Sequence, residues 1–126
     1  MDINQTSEKP IFLQIQEGLE TAILQGAFPE ETQIPSTTEL SVGLKVNPAT
    51  ALKGINGLVD QNILYKKRGI GVFVKEGAIE LIHRKRQGEF REAYIQPMIE
   101  EARRLDITVE DIIKWLMEAK NENHRN

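Results

Sequence analysis

The residues best equipped for chemistry in this chain are cations and small polar groups, and they cluster. Between Lys45 and Lys75 stand Lys45, Lys53, Lys66, Lys67, Arg68 and Lys75, with Asp60 the only acid. The whole chain has a net charge of −3, and its acids gather in Glu8 to Glu39 and along the C-terminal third. The basic stretch is therefore a local face on an acidic molecule. That distribution suits phosphate contact at one specific place; the alternative is an uneven but merely solvated surface. Catalysis has little to work with. There is no cysteine, the two histidines His83 and His124 are far apart, and no carboxylate pair or glycine-rich phosphate loop can be read. The chain reads as a non-enzyme without metal or cofactor.

The elements that must position these cations centre on Asn47-Pro48-Ala49-Thr50-Ala51-Leu52-Lys53. Asn47 offers a side-chain oxygen as N-cap, and Pro48 suits the first helical position, where a missing N–H costs nothing. Ala49, Thr50 and Lys53 face outward, while Ile55, Leu58 and Val59 carry an apolar face. Such a helix can enter a groove tip first, although an ordinary amphipathic helix with a solvated start has the same pattern. Just upstream, Ser36-Thr37-Thr38-Glu39 follows Pro35 as a capping box, opening a short helix that faces Leu40 and Leu44 inward. Two helices joined by so tight a turn predict a helix-turn-helix. The free N–H groups at Ser36 to Thr38 are placed for a phosphate.

The second helix is predicted to run to about Asn62. Ile63 to Lys67 and Val72 to Val74 then read as two short strands around Arg68-Gly69-Ile70-Gly71, whose glycines permit a tight hairpin. Directly after a helix-turn-helix, a basic hairpin is expected to be a wing reaching an adjacent minor groove; a plain hairpin is the alternative. Before these elements, Met1 to Lys9 is a flexible lead. A helix opens at Pro10 with Ile11, Ile15, Leu19, Ala22 and Ile23 in register, stops at Gly26, and gives way to a loop in which Phe28 and Ile34 are buried.

Pro10-Ile11-Phe12-Leu13-Gln14-Ile15, Ile34-Pro35-Ser36, Val46-Asn47-Pro48-Ala49-Thr50 and Lys67-Arg68-Gly69-Ile70-Gly71-Val72-Phe73-Val74, in that order, resemble the GntR family of bacterial transcription regulators. The short length and C-terminal piece resemble its YtrA subfamily. The resemblance covers nearly the whole chain. It implies a winged helix-turn-helix that dimerises on an inverted-repeat operator, often repressing operons for ATP-binding-cassette transporters, with no large effector domain. Three positions depart from the pattern. Thr38 stands where the family usually has an Arg that reaches DNA. Lys45 replaces a usual Gly in the turn, at a cost of about 1 kcal/mol if left-handed. Leu52-Lys53 stands for a basic pair, and Lys lacks the fork with which Arg grips guanine.

From Gly77 the pattern is helical again. Ile79 and Ile82 precede His83-Arg84-Lys85-Arg86, read as a solvated face, and Phe90, Tyr94, Met98, Ala102 and Leu105 share a helix side. Pro97 should kink or break that run. Thr108 caps a last helix, with Asp111 three residues on, bearing Val109, Ile112, Ile113, Trp115 and Leu116; the tail from Asn121 is expected to fray. This much apolar surface exceeds what residues 10–75 can cover, so a partner subunit is expected at Phe90, Tyr94, Met98, Leu105, Ile112, Trp115 and Leu116. Packing on the chain's own domain is the alternative.

The expected fold is mainly α with a small β-hairpin: a winged helix-turn-helix over 10–76, a two-helix dimerisation segment over 77–121, and flexible ends at 1–9 and 122–126. No apolar run is long enough to span a membrane and no signal peptide opens the chain, so a soluble, cytoplasmic protein is expected. Its partners would be double-stranded DNA and a second copy of itself. Ser36, Thr37, Thr38 and Lys45 would hold phosphates. Asn47, Pro48, Ala49, Thr50 and Lys53 would lie nearest the bases, with Thr50 bonding base edges and Asn47 dividing its side chain between that and capping. Lys67, Arg68, Gly69 and Gly71 would form the wing. The rival is a dimeric interaction protein, an anti-repressor or hetero-dimer partner, that kept the fold and lost its operator; Thr38, Lys45 and Leu52 are the features that keep it open.

Overall fold

The computed structural model describes residues 1–124. Its elements in order are α1 (Ile11–Leu24), α2 (Thr37–Leu44), α3 (Pro48–Asp60), β1 (Leu64–Lys67), β2 (Gly71–Val74), α4 (Ala78–Phe90), a π-helical turn (Arg91–Ile95), α5 (Gln96–Arg104) and α6 (Val109–His124). The chain forms two compact units, Met1–Arg84 and the stretch from Lys85 on.

The core of the first unit follows from the helical and strand periodicities. Ile15, Leu19 and Ile23 of α1, Leu40 of α2, and Ala51, Ile55 and Leu58 of α3 are buried with Ile34, Ile63, Leu64, Val74, Ala78 and Ile82. Fully burying each large aliphatic side chain is worth about 1.5–3 kcal/mol. Helix α1 approaches α3 where α3 carries glycines. A Cβ on Gly54 would stand 3.1 Å from the Phe12 carbonyl oxygen and 3.1 Å from Ile15 Cγ2, and one on Gly57 would stand 2.0 Å from Gln16 Nε2. Phe28, expected to be buried with Ile34, is only half-buried.

Helix ends are set locally. Ser36 Oγ accepts the Glu39 N–H at 3.0 Å while Glu39 Oε1 accepts the Ser36 N–H at 3.2 Å, completing the predicted capping box. Helix α2 ends on Lys45, which is left-handed at φ 56° and ψ 48°. There the Val46 N–H donates to the Ser41 carbonyl and the Lys45 N–H to that of Val42, a Schellman closure with Lys in the position usually given to Gly. The Ser41 hydroxyl, itself largely buried, donates to the Val46 carbonyl at 2.7 Å and ties the turn to the helix. Asn62 closes α3 the same way at φ 63°.

The strands pair antiparallel with Leu64 opposite Val74 and Lys67 opposite Gly71. The stretch read from sequence as a loop before α2 does more than connect. The Glu31 N–H donates to the Val74 carbonyl, the Val74 N–H to that of Thr32 and the Ile34 N–H to that of Val72, so residues 31–34 cover the outer edge of β2. Glutamates of this segment also fasten the start of α4. Glu30 Oε2 accepts the Ile79 N–H at 3.0 Å, and Glu31 takes the Glu76 N–H at 3.1 Å and the Tyr65 hydroxyl at 2.7 Å. The lead at residues 1–9 is likewise tied down, through Gln14, which accepts the Asn4 N–H and donates to the Asn4 and Lys9 carbonyls.

From Ala78 to Arg104 the chain is helical without a gap. The disturbance predicted at Pro97 takes the form of the π turn just before it, where the Gln96 N–H reaches back to the Arg91 carbonyl. A proline ring in a helix collides with the carbonyl four residues earlier, and a wider turn makes room for it. Thr108 and Asp111 cap α6 reciprocally, each backbone N–H donating to the other's side chain at 3.1 Å. The tail expected to fray from Asn121 is helical through His124, and positions 125–126 of that expected end lie outside the described residues.

Two outcomes are expected. Lys45→Gly should stabilise the first unit by about 0.5–1 kcal/mol, because relief of the left-handed strain outweighs the added freedom of the unfolded chain; thermal denaturation would show Tm rising by a few degrees. Glu30 has its carboxyl pKa held below the ordinary 4.5 by the backbone N–H groups of Ile79 and Gly77. A depressed folded pKa lends stability above the unfolded value and loses it as pH falls through the lower folded value. Acid unfolding of Glu30→Gln should therefore lack that contribution, with wild type and variant converging once pH has fallen below the lowered folded value, as judged by denaturant titration across pH.

Candidate nucleic-acid interface

The predicted contact residues fall on three elements of the first unit. Ser36, Thr37 and Thr38 occupy the N-terminus of α2, where Ser36 and Thr38 are exposed and Thr37 is half-buried. The capping box consumes the N–H of Glu39. The N–H groups of Thr37 and Thr38 have no acceptor among the described residues, so this helix start offers backbone donors along with its positive dipole end.

Helix α3 differs. Pro48 has no N–H, the Ala49 N–H donates to Asn47 Oδ1 at 2.8 Å, and the N–H groups of Thr50 and Ala51 both donate to the Asn47 carbonyl at 3.0 Å. Asn47 thus serves as the cap, and its side-chain acceptor is committed. The front of α3 has no spare backbone donor, so whatever it recognises must be met by side chains. Its buried face is Ala51, Gly54, Ile55 and Leu58; Ala49, Leu52 and Lys53 are exposed, while Thr50 and Asn56 are half-buried.

The cations are held by contacts that sequence reading did not foresee. Lys53 Nζ lies 4.1 Å from the centre of the Phe12 ring on α1. Lys67 Nζ lies 4.3 Å from the Phe73 ring and 5.8 Å from that of Tyr65, and those two rings stack at 5.7 Å across the hairpin. An ammonium over an aromatic face keeps its charge and gives up little solvation at an exposed site. Lys66, whose ammonium donates to Asn56 Oδ1, joins the hairpin to α3. The alternation of the strand could have signalled this, because Lys66 lies opposite in phase to Tyr65 and Lys67.

The hairpin tip is the three-residue turn Arg68-Gly69-Ile70, with Gly69 at φ 77°. Gln33 Nε2 donates to the Ile70 carbonyl at 3.2 Å. It does so across Gly71, where a Cβ would stand 2.3 Å from that nitrogen. Gly71 is therefore needed for a close approach as well as for its φ of 153°. Arg68, Gly69 and Ile70 are exposed. The structure thus commits Asn47 to the front of α3 itself, and joins the wing to α3 through Lys66. Lys53 rests against α1 instead of any other predicted contact residue.

Helices packed in this order, a left-handed turn between α2 and α3, and a basic two-stranded wing make a winged helix-turn-helix. Residues 12–74 match the bacterial regulatory proteins of the gntR family. Among characterised relatives, the transcriptional repressor NagR of Bacillus subtilis is 32% identical over 80 residues, 64% of this chain, and the chain spans 33% of NagR's length. The transcriptional repressor YtrA of the same organism is 25% identical over 118 residues, 94% of this chain and 90% of YtrA. The crystal structure of a GntR-family transcriptional regulator from Bacteroides thetaiotaomicron superposes with a TM-score of 0.75 at 34% identity, covering 92% of this chain and 99% of that one. The chain belongs to the gntR family of DNA-binding bacterial transcription regulators, with YtrA-type proteins among its relatives.

Proposed function

We propose that this protein is a homodimeric repressor that binds an inverted-repeat operator. The observation that carries the reading is the front of α3, capped by Asn47 and anchored on its far side to α1 and the core, with the wing joined to it through Lys66 and Asn56. A helix held rigidly on one face can present the other to a major groove without losing order on binding. In this reading Ser36, Thr37 and Thr38 take a phosphate at the start of α2. Lys45 adds a charge at the turn, and Lys67, Arg68, Gly69 and Gly71 follow the backbone into the neighbouring minor groove. Lys53, resting on Phe12, serves as a phosphate charge. The names of NagR and YtrA as repressors support repression as the outcome.

The second unit supports the two-fold arrangement. Phe90, Tyr94, Met98 and Leu105 are exposed, and so are Val109, Ile113, Trp115, Leu116 and Met117 of α6, while Ile112 is half-buried. The Phe90 and Tyr94 rings meet at a tilt of 44°, their centres 5.2 Å apart, in the open. So large an apolar surface fits a subunit interface. Two-fold symmetry in the protein then calls for two-fold symmetry in the DNA.

Selecting bound sequences from a random duplex pool, then titrating the winner at two salt concentrations, tests the reading. The winner should be an inverted repeat. Lys53→Ala and Arg68→Ala should each weaken binding and lower the salt slope by about 1. Leu116→Asp should separate the protomers in sedimentation and reduce affinity for the full repeat far more than for a half-site. A pool that yields no preferred sequence would replace the repressor with a dimeric interaction protein.

A further inference from the structure

Resting on that DNA-binding reading, we infer that α3 reads its half-site through thymine 5-methyl groups, with Leu52 and Ala49 as the reading pair. Apart from the half-buried Thr50 hydroxyl, the polar groups at the front of α3 are largely engaged. The Asn47 oxygen caps the helix, the first backbone donors are spent on Asn47, the Lys53 ammonium sits over Phe12, and Asn56 accepts from Lys66.

What remains outward beside Thr50 on the first two turns is apolar. Leu52 is 41% exposed although the buried face of α3 is complete without it, and Ala49 lies one turn earlier on the same side. Both line one shallow depression with Phe12, Lys53 and Asn56. An exposed leucine is commonplace on a protein surface; this one stands on the helix that enters the groove, where the thymine methyl is the apolar feature on offer. A pair of aliphatic side chains cannot bond guanine O6 and N7. The half-site is therefore set to place thymines under α3.

The test uses the full chain and the operator selected from a random duplex pool, with each thymine of the half-site replaced in turn by deoxyuridine, which lacks only the methyl. At one or two positions the substitution should weaken wild type about fourfold, the worth of one buried methyl. Leu52→Ala and the similarly sized Leu52→Gln should bind the thymine duplex more weakly and lose that sensitivity at the thymine Leu52 meets, while a thymine met by Ala49 keeps it. Lys53→Ala should weaken binding to every duplex alike and keep it. Indifference of wild type to deoxyuridine at every position would overturn the methyl reading and leave DNA binding standing. Sensitivity undiminished at every position in the Leu52 variants would overturn it too, because Leu52 would then read no methyl. If no sequence is selected at all, the DNA-binding reading falls and this inference with it.

Discussion

The contact of α1 with α3 is the constraint on which the first unit rests. A recognition helix must expose one face fully, so all of its stability has to come from the other. Here that face is Ala51, Gly54, Ile55 and Leu58, set against Phe12, Ile15 and Gln16. Glycine inside a helix costs about 1 kcal/mol relative to alanine. At Gly54, where α1 backbone and Ile15 lie nearest, the cost is offset by bringing α1 close enough for Ile15 and Leu58 to be fully buried. Phe12 extends the same contact to the surface, where its ring carries the Lys53 ammonium. One helix-helix packing thus orients the reading face and positions a charge beside it.

Around that contact, backbone conformation and side-chain hydrogen bonds fix the remaining parts. The left-handed Lys45 turns the chain from α2 into α3, and Ser41 locks the turn from beneath. A lysine there is a compromise between strain and charge: glycine would relax the turn, and lysine keeps a cation at a place that faces phosphate in the proposed complex. The wing is held twice, by residues 31–34 along β2 and by Gln33 at its tip. Its aromatic pair serves as a platform for Lys67. In each case an exposed functional group is anchored by a contact behind it, which limits the entropy lost when DNA is bound.

The two units differ in how they meet the hydrophobic effect. The first closes a core of its own from residues of six elements and the segments between them. In the second, Ala102 is buried while the aromatic and aliphatic side chains of the same helices stand exposed. A helix apolar over so wide an arc belongs inside a bundle, and in the proposed homodimer the second copy supplies the missing helices.

Much of this was legible in the residues themselves, because the signals are local. Ser36 with Glu39, Asn47 with Pro48, and Thr108 with Asp111 mark helix starts whose hydrogen bonds span three residues or fewer, and Gly69 marks the hairpin. Hydrophobic spacing placed α1 and α3, and Pro97 announced a disturbance without revealing that it would be a π turn. Tertiary structure decided whatever depends on groups distant in sequence. Residues 31–34 lack a strand pattern and pair with β2 only because the fold lays them on its open edge. Lys53 is an outward cation by spacing, yet it lies over Phe12, 41 positions away by numbering, because α1 crosses close to α3 at Gly54. Sequence named the cations and small polar groups; the packing determined which of them were already engaged and which side chains were left facing outward.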